Sequence, residues 1–173
     1  MKFKIMPLSL NYRFLLFTGA LLSVCAGSIG AVLTRALWNN YDIVPLWGQE
    51  SIVTHLLSSS FVLGALVCWT ATKATRNALR SKQVLPLHWH LKSQTVIDKL
   101  PAGTLHRAFM LGLIGMLIAG ITLLLFRYRR LENLPSEDFT VFFAIYCVLL
   151  SGAISVMAIY RALGDNVLHR ANA

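Results

Sequence analysis

Residues 14–34 read FLLFTGALLSVCAGSIGAVLT and carry no charged side chain. Since an α-helix rises about 1.5 Å per residue, this stretch is long enough to cross a hydrocarbon core of about 30 Å. Three more uncharged stretches of similar length follow it: residues 51–72, 108–126 and 139–160. Unpaired backbone groups are too costly in lipid, so each stretch should be helical. The pattern predicts four transmembrane helices.

The composition indicates the same class of protein. Of the 173 residues, 56% are hydrophobic and only 13% are charged, and the mean hydropathy is +0.62. A soluble domain has about 25% charged and about 45–50% apolar residues. We therefore expect an all-α integral membrane protein, in which residues 1–173 form a single membrane domain built as a four-transmembrane-helix bundle. This composition argues against a cytosolic enzyme and against a secreted disulfide scaffold.

Lysine and arginine residues lie mainly on one side of the predicted helices. Twelve of the sixteen belong to the N-terminal tail, the connection 73–107 and the C-terminal tail, whereas Arg35, Arg127, Arg129 and Arg130 lie on the other side. Because basic residues accumulate in cytoplasmic loops, we expect a bacterial inner-membrane protein with both termini in the cytoplasm. The net charge of +9 then belongs to a surface that attracts anionic lipid headgroups rather than nucleic acid.

The ends of the predicted helices carry three further expectations. A secretory signal has an apolar core of about 7–15 residues, so the longer first stretch is expected to remain in the protein as a helix. The second helix is expected to continue past Lys73 to about residue 82, as a basic extension. Thr104 follows a Pro-Ala-Gly turn signal and is expected to cap the third helix.

His88, Trp89 and His90 lie together in the basic connection. In an extended segment the two imidazoles would point the same way and could face one metal ion. Zinc usually takes four ligands, however, and no Cys, Asp or Glu lies within seven residues of this motif. We therefore predict an interfacial segment here and no metal site.

Small residues recur between the two halves of the chain. A shift of 93 residues superimposes positions of the first helix of each half, and a shift of 88 superimposes positions of the second. The pairs are Gly19, Ala26 and Gly27 with Gly112, Ala119 and Gly120, and Gly64 and Ala65 with Gly152 and Ala153. A tandem 2+2 helix repeat about an axis along the membrane normal is one interpretation, and chance recurrence of small residues is the other.

Stripes of small residues are the main packing signal, because helices in lipid associate through close contact of small side chains. In the first two predicted helices these residues recur at intervals of four and so share one face. The residues expected at helix–helix contacts are Gly19, Ser23, Gly27, Ala31, Ser60, Gly64, Cys68, Gly112, Gly115, Gly120 and Gly152. The stripes pack inside the bundle, or one of them faces outward to form a homo-oligomer or to dock a membrane-protein partner.

Aromatic residues are concentrated near the expected ends of the helices, which is typical of an aromatic belt. The outer members of this belt are Trp38, Tyr41, Trp47, Phe139, Phe142 and Phe143, and the inner members are Tyr12, Trp69 and Tyr160. We assign the belt no ligand.

Ionisable residues inside a membrane usually mark a transport or proton pathway. The four stretches contain no Asp, Glu, Lys or Arg, which disfavours a proton-coupled or sodium-coupled antiporter. His55 lies near the outer end of the second stretch and is followed by Ser58, Ser59 and Ser60. These four residues form the candidate polar site. The alternative is an interfacial histidine that bonds to a carbonyl or a headgroup.

Redox chemistry finds little support in the residue pattern. His55 and His106 should lie roughly 25 Å apart along the membrane normal, given ~1.5 Å per helical residue, which is too far to bind one haem between them. Cys25, Cys68 and Cys147 form no Cys-x-x-Cys pair and are expected to pack as small residues. The sequence predicts no catalytic residue, metal or cofactor.

Three functional hypotheses follow from these patterns. The first is a non-enzymatic membrane protein that acts through helix and loop contacts, as an accessory subunit, an assembly factor or an immunity-type protein. The alternative is a small permease for a neutral or hydrophobic solute, with the polar site around His55 as its pathway. A membrane redox or haem subunit is the least favoured.

Overall fold

The structure is a computed structural model that describes residues 10–48, 51–85, 100–101, 103–131 and 133–165. Long helices and two short strands follow one another along these ranges. They are α1 (Leu10–Trp38), β1 (Ile43–Pro45), α2 (Ile52–Arg80), α3 (Thr104–Tyr128), β2 (Asn133–Pro135) and α4 (Ser136–Leu163). Each of the four helices is long and apolar enough to cross a membrane.

Each helix is longer than the uncharged stretch that predicts it. The helices contain 25 to 29 residues, and Arg13, Arg35 and Arg107 lie inside their ends. The long arginine side chain can reach a polar surface from within a helix. A charge therefore marks the limit of the apolar stretch and not the last helical residue. α2 continues past Lys73 and ends at Arg80.

The first turns of α2 and α3 begin in different ways. Ser51 caps α2, because its hydroxyl accepts a hydrogen bond from the Thr54 amide at 3.4 Å. The expectation that Thr104 caps α3 is wrong: Gly103 occupies the cap position and gives no side-chain hydrogen bond. Thr104 is instead the first helical residue, and its hydroxyl accepts a hydrogen bond from Arg76 Nη1 at 2.6 Å.

After α2 the chain turns back onto the beginning of α1. Lys82 has a positive φ of 57°, and the Gln83 amide donates to the Ala78 carbonyl at 2.9 Å. The Asn11 side chain then makes two hydrogen bonds of 2.9 Å with the backbone of Leu85, one to its carbonyl and one from its amide. The segment after α2 is thereby tied to α1.

The four helices form an open arrangement in the order α1, α4, α2, α3. α1 packs along α4, α2 packs along α3, and α2 and α4 contact each other at the centre, whereas α1 and α2 touch only weakly. α1 and α3 are therefore the outer helices, each with one principal neighbour. We name the two ends of the bundle by what they hold: the strand end, with β1 and β2, and the Asp165 end, where α1 and α3 begin.

Backbone contact between α2 and α3 depends on glycine. A Cβ on Gly64 would lie 2.9 Å from the Leu111 carbonyl oxygen and 3.0 Å from the Gly112 Cα. A Cβ on Gly115 would lie 2.7 Å from the Ser60 carbonyl oxygen. These distances are shorter than side chains tolerate, so the two helices can approach this closely only because the side chains are missing.

The contact between α1 and α4 also uses small residues. A Cβ on Gly27 would lie 2.5 Å from Val148 Cγ2, and one on Gly152 would lie 3.2 Å from Ser23 Oγ. A Cβ on Gly19 would meet Ser155 Oγ at 3.5 Å. The α1 stripe therefore faces α4, although its last member, Ala31, is only half-buried. Gly120 on α3 differs, since among the described residues none lies within 4 Å of its Cβ position.

At the strand end, the connections α1–α2 and α3–α4 pair with each other. β1 and β2 are antiparallel, with Val44 opposite Leu134 in the register. Val44 is fully buried, and Leu46 beside it is also buried. The paired strands therefore cover the helical core at the strand end.

The aromatic residues at this end only partly form the expected belt. Tyr41 and Trp47 are exposed, but Trp38, Phe139 and Phe143 are buried, so the expectation that these three belong to a belt is wrong. The reason is the helix order. α4 lies at the centre, and its strand end is covered by α1 and α2, so large rings there fill the core.

Candidate functional site

His55 lies one turn into α2, at the strand end, and is enclosed by aromatic rings from two other helices. The imidazole centroid is 4.7 Å from the Trp38 ring of α1, which meets it edge-on, and 4.6 Å from the Phe143 ring of α4. Phe139 contributes a third ring at 6.1 Å. Thr34 Oγ1 lies 3.5 Å from His55 Nε2, at the outer limit of a hydrogen bond. Packing, more than hydrogen bonding, fixes the orientation of the ring.

A cavity of about 390 Å³ opens beside this ring at the strand end. Its described lining combines aromatic rings, hydroxyl-bearing side chains and one leucine. These residues are Leu37, Trp38, Tyr41, Ser51, Thr54, His55 and Ser58. The cavity lies between the end of α1 and the beginning of α2.

A second cavity of about 340 Å³ continues from it along the gap between α1 and α2. His55 and Ser58 line both cavities. Below them the walls are apolar, formed chiefly by Ile29 and Leu33 of α1 and by Val62, Leu63 and Leu66 of α2. We call the two cavities together the α1–α2 cleft.

The cleft exists because α1 follows α4 and not α2. A Cβ on Gly30 would lie 2.9 Å from Cys147 Sγ and 3.3 Å from a Phe143 ring carbon, so the missing side chain lets α1 close on α4. On α2, Val62 and Leu66 line the other side of the gap, and both side chains are exposed. Phe143 and Cys147 of α4 form the floor of the gap.

The serine and threonine hydroxyls that line the cleft donate hydrogen bonds to backbone carbonyls. Ser58 Oγ donates to the Thr54 carbonyl at 2.7 Å, and Ser59 Oγ donates to the His55 carbonyl. Thr54 Oγ1 donates to the Gly48 carbonyl at 3.2 Å. A hydroxyl that donates in this way keeps its lone pairs as acceptors. These hydroxyls therefore offer hydrogen-bond acceptors to the contents of the cleft, whereas the His55 ring also carries an N–H donor.

Ser60 does not belong to the cleft, although the sequence groups it with His55, Ser58 and Ser59. Ser60 is buried among α2, α3 and α4, where its hydroxyl lies 2.9 Å from the Tyr146 hydroxyl. Tyr146 in turn donates to the Gly115 carbonyl at 3.5 Å. The predicted set of four polar residues is thus divided between a cleft and a buried interhelical contact.

A cluster of charges lies at the opposite end of the molecule, around Asp165. Its carboxylate accepts hydrogen bonds from Arg107 Nη2 at 2.9 and 3.0 Å, from Arg76 Nη2 at 2.9 Å and from Arg161 Nη1 at 3.1 Å. The three arginines come from α3, α2 and α4, so a single carboxylate joins three helices. We call these four residues the Asp165 cluster.

Two arginines of the cluster also hold the chain that leads into α3. Arg107 Nε donates to the Pro101 carbonyl at 3.1 Å, and Arg161 Nε donates to the Leu100 carbonyl at 2.8 Å. Arg107 is fully buried. A cation near a helix N-terminus and an anion just after a helix C-terminus each oppose the helix dipole. The mutual pairing of Arg107 and Asp165 offsets both effects, and this makes the cluster a structural clamp.

The sequence analysis assigned no role to Asp165. A signal was present: Asp98 and Asp165 are the two acidic residues in the chain segments that carry twelve basic ones. Arg161 also precedes Asp165 by one helical turn, a spacing that favours an ion pair. The pairing with Arg76 and Arg107, from 89 and 58 residues away, depends on the helix order and could not be read from the chain.

Two of the arginines at the strand end line a separate cavity of about 620 Å³. Arg127 and Arg130 line it together with Trp47 and Asn133. Arg130 has a positive φ of 53°, in the turn that ends α3. The basic residues at 127–130, which lie on the side with few basic residues, are therefore next to the paired strands.

The structure locates the histidines and cysteines that were considered for redox chemistry and metal binding. His55 and His106 stand in the first turns of the antiparallel helices α2 and α3, and so lie at opposite ends of the bundle. Cys68 and Cys147 are buried, whereas Cys25 is exposed. Within the described residues, no group of three or more His, Cys, Asp or Glu side chains could hold a metal ion. The motif from His88 to His90 lies outside the described residues.

No protein-family model, no curated protein sequence and no solved structure matches the chain.

Proposed function

We propose that the chain is an integral membrane protein of a bacterial inner membrane, with the Asp165 end in the cytoplasm. The four long apolar helices support insertion, and the excess of basic residues at the Asp165 end supports the orientation. Lys73 Nζ lies 4.2 Å from the centre of the Trp69 ring, an arrangement suited to the interface between lipid and water. Anionic lipid headgroups are the expected contacts of this end.

Within that membrane the chain acts as a non-enzymatic protein that works through helix and loop contacts. The roles that fit are an accessory subunit, an assembly factor or an immunity-type protein. The observation that carries this proposal is the open helix order, which leaves α1 and α3 with one principal neighbour each. Because lipid supplies no hydrophobic driving force between helices, a long unshared helix face is available to another membrane protein or to a second copy.

Photo-crosslinking in native membranes tests this function. A photoreactive residue is placed in turn at three exposed positions of one face of α1 and of α3: Phe17, Leu21 and Val24, and Leu117, Ile121 and Leu124. We expect one of the two faces to give the same protein adduct at all three positions, and a bulky substitution in that face to abolish it. Lipid adducts at all six positions, together with a lone monomer after extraction in mild detergent, would contradict the proposal.

A small permease for a neutral or hydrophobic solute is the second candidate, and the α1–α2 cleft favours it. The cleft leads from the strand end towards the middle of the helices, from Ser51 to Leu66 on α2. Its test is dithionite quenching of an NBD-labelled neutral lipid in proteoliposomes. Faster loss of the protected fluorescence, slowed by replacement of His55, Ser58 and Ser59, supports the permease. A rate equal to that of empty liposomes contradicts it.

We also propose that the two halves of the chain are a tandem repeat. Exchanging the halves turns the contact between α1 and α4 into the contact between α3 and α2, and both contacts are extensive. The same exchange maps the central contact between α2 and α4, and the pairing of β1 with β2, onto themselves. Chance recurrence of small residues does not require such symmetric packing.

A further inference from the structure

The α1–α2 cleft changes from polar to apolar along the direction of the helices. At the strand end its described walls include the side chains of Thr54, His55 and Ser58, and towards the middle of the helices they include Val62 and Leu66. On α2 these apolar positions lie up to three turns below His55. A ligand that fills both parts must carry a polar head at one end and an apolar chain at the other.

The chemistry of the walls defines the head. The described lining residues of both cavities include no Asp, Glu, Lys or Arg, so an ionic head would find no counterion among them. Ser58 and Thr54 already donate to backbone carbonyls and so present acceptor lone pairs. The His55 ring, which lines both cavities, carries an N–H donor in either tautomer. The complementary group is therefore uncharged and both donates and accepts hydrogen bonds, as a hydroxyl does.

The size of the cleft suits a ligand of this class. Its two parts, of about 390 and 340 Å³, fall within the range of about 300–1,000 Å³ found for small-molecule sites. The apolar part is open towards the gap between α1 and α2. A long chain can therefore begin in the cleft and continue into the surrounding lipid.

We propose that the α1–α2 cleft binds an uncharged, hydroxyl-headed amphiphile, with its hydroxyl at Ser58 and His55 and its chain between α1 and α2. Long-chain alcohols, polyprenols and monoacylglycerols share this chemistry. The inference goes beyond the proposed functions, since binding requires neither a protein partner nor movement across the bilayer. It rests on the proposed membrane insertion, which accessibility labelling of the two ends of the bundle tests separately.

The test uses the full chain in lipid nanodiscs and a hexadecanol probe that carries a diazirine and an alkyne. We expect saturable photolabelling that unlabelled hexadecanol displaces, with labelled peptides from residues 26–33 of α1 and 59–66 of α2. The methyl ether of the probe cannot donate a hydrogen bond, and the matching fatty acid is charged. The ether should bind about 3–10-fold more weakly, which is the effect of one lost hydrogen bond. The fatty acid should bind more weakly still, because its charge finds no counterion among the described lining residues.

Three variants locate the site. Ser58→Ala and His55→Phe should each weaken binding of the alcohol about 3–10-fold, while Val62→Trp should abolish it by filling the apolar part. The matched control is Thr70→Ala, because Thr70 also lies on α2 and also donates to the carbonyl one turn back, at 2.9 Å, but is not among the cleft residues. Circular dichroism and gel filtration confirm that each variant is folded.

The proposal is overturned if labelling does not saturate, if the exposed faces of α1 and α3 are labelled as heavily as the cleft, or if Thr70→Ala behaves like Ser58→Ala. Equal binding of the alcohol and its methyl ether also overturns it. Saturable binding without lipid movement in proteoliposomes would support the proposed binding site and contradict only the proposed permease function.

Discussion

Removal of the Asp165 carboxylate should destabilise the protein more than any other single change of an acidic side chain in the described residues. Asp165→Asn keeps the size of the side chain and removes its charge. Arg107, which is fully buried and makes two of the hydrogen bonds to the carboxylate, would then be left as a buried cation beside a neutral amide. The perturbation therefore tests whether the cluster holds α2, α3 and α4 together.

The expected size of the effect follows from the exposure of each partner. The Arg76 and Arg161 side chains are 28% and 15% exposed, whereas that of Arg107 is 0% exposed. Ion pairs with solvent access contribute about 0–1 kcal/mol, but breaking a buried pair costs about 3–5 kcal/mol because a charge stays uncompensated. Since Arg107 dominates, we expect the free energy of unfolding to fall by about 3–5 kcal/mol.

The measurement is equilibrium unfolding by SDS in mixed micelles, followed by far-ultraviolet circular dichroism. The matched control is Asp138→Asn, an exposed acidic residue in the first turn of α4, where only a favourable helix-dipole interaction of about 0.3–1 kcal/mol is lost. Adding Arg107→Met to Asp165→Asn should recover part of the stability, because no buried charge then remains. A change below about 1 kcal/mol for Asp165→Asn, or one equal to that of the control, would refute this account of the cluster.

The other predictions concern the helix contacts and use the same unfolding assay. Gly64→Ala should lower the free energy of unfolding by about 1–3 kcal/mol, because its Cβ would lie 2.9 Å from the Leu111 carbonyl oxygen. Gly120→Ala, with open space at that position, should instead raise it by about 0.5–1 kcal/mol; equal effects of the two changes would show that α2 and α3 are not in close contact. Tyr146→Phe should cost about 0.5–1.5 kcal/mol through its lost interhelical hydrogen bond, and Tyr160→Phe, at a partly exposed position, should cost less than half as much.

The positions of the helices along the chain could be predicted from the sequence, but which helices pack against each other could not. The uncharged stretches 14–34, 108–126 and 139–160 each lie inside one of the long helices, and the stretch 51–72 begins at the N-cap of α2 and otherwise lies inside it, because length and hydropathy are local properties. Which helix packs on which depends on small residues that all four helices contain. The central position of α4 is therefore a property of the folded chain, and with it the burial of Phe139.

The candidate polar site was predicted to contain three consecutive serines, and helical geometry could have shown that they do not share one cavity. Consecutive residues on an α-helix are about 100° apart, so Ser58, Ser59 and Ser60 span about 200° and cannot all face one cavity. Ser58 and Ser59 line the cleft, while Ser60 points to Tyr146. The sequence could therefore have predicted that one serine lies apart. Which one it is depends on where α4 packs.

The Asp165 cluster could not be predicted for a different reason. Its arginines belong to three helices, and the charge pattern of the chain makes them ordinary members of a basic surface. Only the convergence of the helix ends shows that one carboxylate serves all three. The structural role of Asp165, one of two acidic residues in the basic segments, thus depends on its neighbours in space.

The central claim is that four helices thread a bilayer with both ends of the chain on the cytoplasmic side. Single cysteines at Asn40, Gln83, Leu131 and Ala173, in a background without the three native cysteines, test it most directly with a membrane-impermeant maleimide on intact cells. We expect labelling at Asn40 and Leu131 without lysis, and labelling at Gln83 and Ala173 only after the membrane is permeabilised. Labelling of Gln83 and Ala173 from opposite sides, or recovery of the chain in the soluble fraction without detergent, would contradict the account.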